Sequence, residues 1–329
     1  MILAAVVLTA GACALPTSPC ATLGAGAECT APPVPQGPSY TNPVISDDIA
    51  DPEVIEVDGT YYLYPTSASH SYSVWTSNDL VHWNAGPVVF THPDGMLQAP
   101  DVYHDEATGT FYLYFNAAER LGVATSTSPT GPFTTVVDRL VDRAIDANVF
   151  RDDDGRLYLY YVRTIADLFD PHGINSIWVQ PMSSPTALTG APVSLIDAGI
   201  STVGSWKFPI AEAPWMLRRG SIYYLMFSGN VALTNGYAVG YATSTSPTGP
   251  FVESPDNPIA AAHDGVYGPG HHSVVTDGAG TMWMVYHQKK AASNGWERDI
   301  AINRLWFDGN QLRTETSRGQ SQAGPWFPS

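Results

Sequence analysis

Four carboxylic acids and one histidine recur at a near-constant distance ahead of five aromatic or apolar runs. Asp51 stands 10 residues before Tyr61, and Asp101 stands 10 before Phe111. Asp146, Glu212 and His271 each stand 11 residues before Leu157, Tyr223 and Met282. Three of the acids have apolar neighbours, in Ile49-Ala50-Asp51-Pro52, Ala144-Ile145-Asp146-Ala147 and Ile210-Ala211-Glu212-Ala213-Pro214. A carboxylate in an apolar strand is costly unless it is paired or used. One such acid alone is more often a turn or solvated residue; the shared register sets this group apart. Two carboxyl groups with separated pKa values can act as acid and base in one reaction, as hydrolysis of a glycosidic bond requires.

The runs that follow these residues are Tyr61-Tyr62-Leu63-Tyr64, Phe111-Tyr112-Leu113-Tyr114, Leu157-Tyr158-Leu159-Tyr160, Tyr223-Tyr224-Leu225-Met226 and Met282-Trp283-Met284-Val285. Their starts are 50, 46, 66 and 59 residues apart. Each run follows a turn signal, as in Asp58-Gly59, Thr108-Gly109 and Asp154-Gly155. Each unit has room for about four strands, and units of that kind at this spacing are propeller blades. A second repeat agrees: Gly122 to Phe133 recurs almost unchanged as Gly240 to Phe251, a short strand entering a Pro-Gly turn. No segment carries the period of a long helix. The expected fold is all-β, a five-bladed β-propeller over residues 41–329. The first strand of every blade would line the axial channel, so the four acids and the histidine would meet in one funnel.

Composition limits what such a funnel serves. Lys plus Arg total 15 against 31 Asp plus Glu, a net charge of −16. That surface repels nucleic acid and anionic membranes but not a neutral polysaccharide. All three cysteines, Cys13, Cys20 and Cys29, precede residue 30, so no thiol acts in the body of the fold. Residues 1–14 resemble a secretory signal, or a lipoprotein signal with Cys13 as the lipidated residue and the single route to a membrane. Cys20 and Cys29 could pair once exported. Residues 15–40, rich in Pro, Ala and Gly, read as a linker. No protein partner is implied.

The motifs together resemble glycoside hydrolase family 43 over roughly residues 40 to 310. The resemblance implies a general base at Asp51-Pro52, a pKa-tuning and orienting acid at Asp146, and a general acid at Glu212-Ala213-Pro214. It also implies an axial histidine at Gly268-Pro269-Gly270-His271, often beside a calcium ion in that family, and a sugar-contacting arginine at Arg298. Two departures stand out: Gln98 precedes Ala99-Pro100-Asp101 where the family often has Trp, and Ala213 replaces a Gly.

The residues and the resemblance lead to one expectation. Asp51 stays ionised and holds water, while Glu212 stays protonated through burial and the charge of Asp146. Asp101, Trp206 and Phe208 are candidate sugar contacts with Arg298, although packing accounts equally for the two aromatics. His271 is the candidate metal ligand, with water completing a calcium shell. The expected protein is a secreted, inverting α-L-arabinofuranosidase. A β-xylosidase and a galactofuranose-releasing enzyme are the alternatives within that chemistry. A carbohydrate-binding propeller without catalysis, or a protein-interaction propeller, would not need the acids.

Overall fold

The computed structural model describes residues 31–66, 69–165 and 169–328. Residues 1–14 with Cys13, and likewise Cys20 and Cys29, lie outside the described residues. Five antiparallel sheets follow one another along the chain, each ordered as its strands occur in sequence, save that in the third Val193–Ile196 pairs back on Asn175–Ser184. Their innermost strands are Ala50–Val57, Gln98–Asp105, Ala144–Arg151, Ala211–Arg219 and Gly270–Thr276. Among the described residues the only helical element is the 3-10 turn Ile200–Thr202. This is the five-bladed β-propeller that the repeats imply.

The blades begin with tight hairpins. Asp58 and Gly59 both have positive φ, 51° and 78°, the conformation of a type I′ turn, which matches the right-handed twist of the strands it joins. The aromatic runs form the second strands and are nearly all buried. Apolar side chains segregate into five clusters, one at each junction between adjacent blades.

The fourth residue of three runs explains the second sequence repeat. The fully buried Tyr64, Tyr114 and Tyr160 donate their hydroxyls to the carbonyls of Pro129, Pro185 and Pro247. Each tyrosine thereby satisfies its polar tip on the Ser-Pro turn of the next blade. The near-identical segments around Pro129 and Pro247 are therefore docking points for a neighbour's tyrosine.

One feature positions the site. Every inner strand is bulged near its start, and a residue with positive φ sits in the bulge: Asp51 (49°), Ala99 (42°), Asp146 (54°), Ala213 (53°) and His271 (45°). A bulge of this kind re-aims side chains and ends regular pairing. The sixth residue of the aromatic run, or its equivalent, steadies the next blade's bulge. Thr66 Oγ1 accepts from Ala99 N at 2.7 Å, Asn116 Nδ2 donates to Ala144 O at 2.9 Å, and Ser228 Oγ accepts from His271 N at 2.9 Å. His287 Nδ1 lies 3.3 Å from Asp51 N and closes the circle. In the third blade this position is Val162; Asp146 Oδ2 accepts from Ala213 N at 3.0 Å instead.

The ring is also closed at its rim. Gly37–Thr41 pairs antiparallel with Ser321–Gly324. The buried Asn42 donates to Ile302 O (2.8 Å) and Asn303 Oδ1 (2.9 Å) and accepts from Ile302 N (3.0 Å). Tyr40 donates to Ile302 O at 2.7 Å. Residues 37–40 fall inside the stretch read as linker, so the folded body starts earlier than residue 41. The Pro and Gly of this stretch hide the strand, because its pairing partner lies about 280 residues away.

Candidate active site

A cavity of about 570 Å³ opens at one end of the axis. Asp51, Asp146, Glu212, His271 and Arg298 all line it. Five of the residues singled out from the sequence therefore converge, each delivered by a different blade or, for Arg298, by the third strand of the fifth.

Asp51 is surrounded by cations and imidazoles. Its Oδ1 lies 3.1 Å from Arg298 Nη1, 3.1 Å from His287 Nδ1 and 3.3 Å from His271 Nδ1. Burial alone would raise this carboxyl. Arg298 foremost, then His271 and His287, outweigh burial and hold it well below the usual carboxylate range. Burial pushes His287 down to about 4 and lowers His271 as well, so both rings are neutral near pH 7. Arg298 thus carries the lasting positive charge beside Asp51.

Glu212 behaves in the opposite way. Burial, then the negative charge of Asp51, push it up to about 7, against hydrogen bonds from Tyr237 (2.7 Å to Oε1) and Asn175 (3.4 Å to Oε2). Asp146 is also pushed well above its ordinary range, by burial first and then by the charge on Glu212. The two carboxyls resist losing both protons, as like charges in one apolar site must. The expected repulsion between Asp146 and Glu212 is present, and Asp51 is the negative neighbour that weighs on Glu212.

Three expected sugar contacts lie elsewhere. Asp101 is two residues past the bulge of its strand, whereas Asp51 and Asp146 occupy theirs; Ala99 takes the matching place and lines the cavity. Asp101 points into the closed lower channel beside Glu53 and accepts from Val149 N at 3.2 Å and Asn148 Nδ2 at 3.4 Å. The count of 10 residues concealed this because the hairpins of the first and second blades differ in length. Trp206 stacks on Phe227 (5.3 Å between centroids, 29° between planes) in the cluster between the third and fourth blades. Phe208, partly buried in the turn before Glu212's strand, does not line the cavity. For Trp206 the packing role is the one observed.

The side chains at His271 do not supply a calcium site. Its Nδ1 faces Asp51, whose Oδ1 is already engaged by Arg298, while calcium takes six to eight oxygens. The neighbouring His272, buried with neither ring nitrogen bonded, faces a cavity of about 20 Å³ below the acids, room for one water and not for a hydrated cation. Among the described residues no three His, Cys, Asp or Glu side chains are disposed to hold a metal.

Sequence reasoning missed His287, Tyr237, Asn175 and Trp296. His287 was accessible, since it stands five residues after Met282 as Thr66, Asn116 and Ser228 stand after their own run starts. Trp296, 59% exposed at the cavity mouth, lies two residues before Arg298, whose guanidinium sits 5.7 Å from its ring. Tyr237 and Asn175 carry no repeat signal.

Comparison with known proteins identifies the family. The chain is 30% identical over 298 residues to a β-D-galactofuranosidase of Aspergillus niger, covering 81% of this chain and 82% of that one. It is 25% identical over 302 residues to an extracellular exo-α-(1→5)-L-arabinofuranosidase of Cellvibrio japonicus, covering 79% and 84%. The crystal structure of a thermostable family-43 glycoside hydrolase superposes with a TM-score of 0.81 at 31% identity, covering 88% of this chain and all of that one. The family model for glycosyl hydrolases family 43 matches residues 40–311. With the propeller, the three converging carboxyls and a match over most of its length, this chain belongs to glycosyl hydrolase family 43.

Proposed function

We propose that the protein is an exported α-L-arabinofuranosidase that acts on plant polysaccharide with inversion of configuration. One observation carries the mechanism: Asp51 is held ionised and Glu212 is held protonated to about pH 7 within one cavity. Glu212 gives its proton to the leaving glycosidic oxygen. Asp51 takes a proton from water as that water attacks the anomeric carbon. Asp146, fixed through Ala213 N, sets the orientation and proton affinity of Glu212. The acid and base come from the fourth and first blades and share no hydrogen bond, which supports a gap wide enough for water, about 6.5–9.5 Å in inverting pairs.

The furanosyl substrate is supported by the Cellvibrio japonicus and Aspergillus niger relatives, named for arabinofuranosyl and galactofuranosyl chemistry. α-L-Arabinofuranose and β-D-galactofuranose share their ring configuration and differ in the exocyclic tail. The galactofuranosyl reading is therefore a second reading of the same pocket. Export is supported by the apolar start of the chain and by the extracellular Cellvibrio relative. Assay of p-nitrophenyl α-L-arabinofuranoside, β-D-galactofuranoside and β-D-xyloside, with NMR of the first-formed sugar, tests the reading. Arabinofuranose released with the opposite anomeric configuration is expected. A retained anomer overturns Asp51 as base, and preference for the xyloside overturns the furanosyl substrate.

A further inference from the structure

We propose that Tyr237 is a positioning residue that dictates which oxygen of Glu212 carries the catalytic proton, with the direction of the bond imposed by the backbone of the fifth blade. The inference rests on Glu212 acting as the acid. It begins at His271 N, which can only donate, and which gives its hydrogen to Ser228 Oγ at 2.9 Å. Ser228 is hydrogen-bonded to Tyr237 in turn, and Tyr237 donates to Glu212 Oε1 at 2.7 Å. Both hydroxyls are fully buried. Ser228 Oγ accepts from His271, and its bond to the tyrosine favours the ionised phenol, the sense of a serine hydrogen offered to the tyrosine oxygen. The tyrosine hydrogen then has one partner left, Glu212 Oε1. An oxygen that accepts this bond is the unprotonated oxygen of the carboxylic acid. The shorter bond marks Oε1 as the carbonyl oxygen, so the proton that Glu212 donates is on Oε2, which receives only the longer bond from Asn175 Nδ2, 3.4 Å against 2.7 Å.

The ring that performs this task is held rigidly. Tyr237 lies parallel to His287, with centroids 5.6 Å apart and planes 9° apart. The backbone of Gly270, paired with His287 in the same blade, also runs against the ring, where a Cβ would come within 2.1 Å of Tyr237 Cε1. The glycine before His271 is thus a requirement of the tyrosine's passage. The same stack joins the two halves of the reaction, because His287 touches Asp51 and Tyr237 touches Glu212.

The charged and titratable groups facing Glu212 are Asp51, Asp146, Arg298 and Tyr237 itself. The bond from Tyr237 favours the ionised acid, so its removal raises the proton affinity of Glu212. The rate is lost on the alkaline side as Glu212 ionises, and a higher affinity moves that limb to higher pH.

The experiment compares Tyr237→Phe, Ser228→Ala and Glu212→Gln on aryl arabinofuranosides of graded leaving-group acidity, with full pH profiles. For Tyr237→Phe we expect a 10- to 100-fold loss of kcat with poor leaving groups, less than 3-fold loss with dinitrophenyl, and an alkaline limb raised by at least half a pH unit. Ser228→Ala should move both readouts the same way by less, and it carries the test if the phenylalanine variant fails to fold. Equal losses across all leaving groups with an unmoved alkaline limb would overturn the proposal while Glu212→Gln still shows leaving-group dependence. If Glu212→Gln shows none, the assignment of the acid itself falls.

Discussion

Arg298 Nη1 lies 3.1 Å from Asp51 Oδ1, although 247 residues separate the two in the chain. The contact joins the first blade to the fifth. It also supplies the positive charge beside Asp51, since His271 and His287 are kept neutral by burial. Replacing Arg298 by Met should raise the proton affinity of Asp51. The base must be ionised, so activity is lost as pH falls through its pKa, and the acidic limb of the profile should move up by at least one unit. The maximal rate should fall by roughly 10². An acidic limb that stays in place would show that Arg298 does not set this ionisation.

Asp101 is a stability residue in this structure. Burial pushes its carboxyl up to about 7, with Glu53 raised beside it. A raised acid favours the folded state fully below the unfolded pKa, and that contribution drains away as pH rises from about 4 through about 7. Asp101→Asn keeps an acceptor for Val149 N and removes the charge. Its melting temperature should exceed that of the parent by ~2–5 °C at pH 8 and match it at pH 4.5, with activity at pH 6 within about twofold. Calorimetry at the two pH values decides the matter; a variant equally destabilised at both would contradict it.

Trp296 stands exposed at the mouth of the cavity, with its ring beside Arg298. A flat apolar face at that place suits stacking against the sugar that follows the cleaved bond. Trp296→Ala should raise KM for arabino-oligosaccharides about five- to tenfold, worth ~1 kcal/mol, and leave kcat nearly unchanged. A matching loss of kcat would assign the ring to the reacting sugar instead.

Asn42 makes four hydrogen bonds in a position only 1% exposed, counting the one to Ser317 Oγ at 3.2 Å. Asn42→Ala leaves Ile302 N without a partner in a buried site, at a cost of ~1–3 kcal/mol. Removal of residues 31–42 should cost more, because Tyr40 and the paired strand go as well. Thermal denaturation of both proteins measures this, and an unchanged melting temperature would show that the ring holds without its clasp.

Much of this arrangement was legible in the sequence. The repeat spacing revealed the blade number, and the shared register picked out Asp51, Asp146, Glu212 and His271 because a propeller brings equivalent positions to one axis. Arg298 followed from the resemblance. What escaped detection was of two kinds. Asp101 was misplaced because the turn after its strand is longer than the one in the first blade, so a constant count along the chain does not keep a constant place in space. Tyr237, Asn175 and Trp296 come from third strands and connecting segments that differ between blades, where no repeat exists to align them. Trp206 showed the converse: an aromatic residue near an acid filled the space between blades.

The pairing of Gly37–Thr41 with Ser321–Gly324 has a consequence for the order of assembly. Each blade is built from contiguous chain and can pair its strands as it is made. The junction between the first and fifth blades has no second half until residues from about 275 onward exist, and the bonds of Tyr40 and Asn42 to Ile302 span 262 and 260 residues. Loop closure over that separation is entropically slow to find. Until then Val54, Leu63 and Leu80 lack the partners that Trp283, Ile300 and Ile302 provide. The nascent protein therefore carries an unfinished apolar seam until residues 275–324 emerge, and that stretch is the one that seals it.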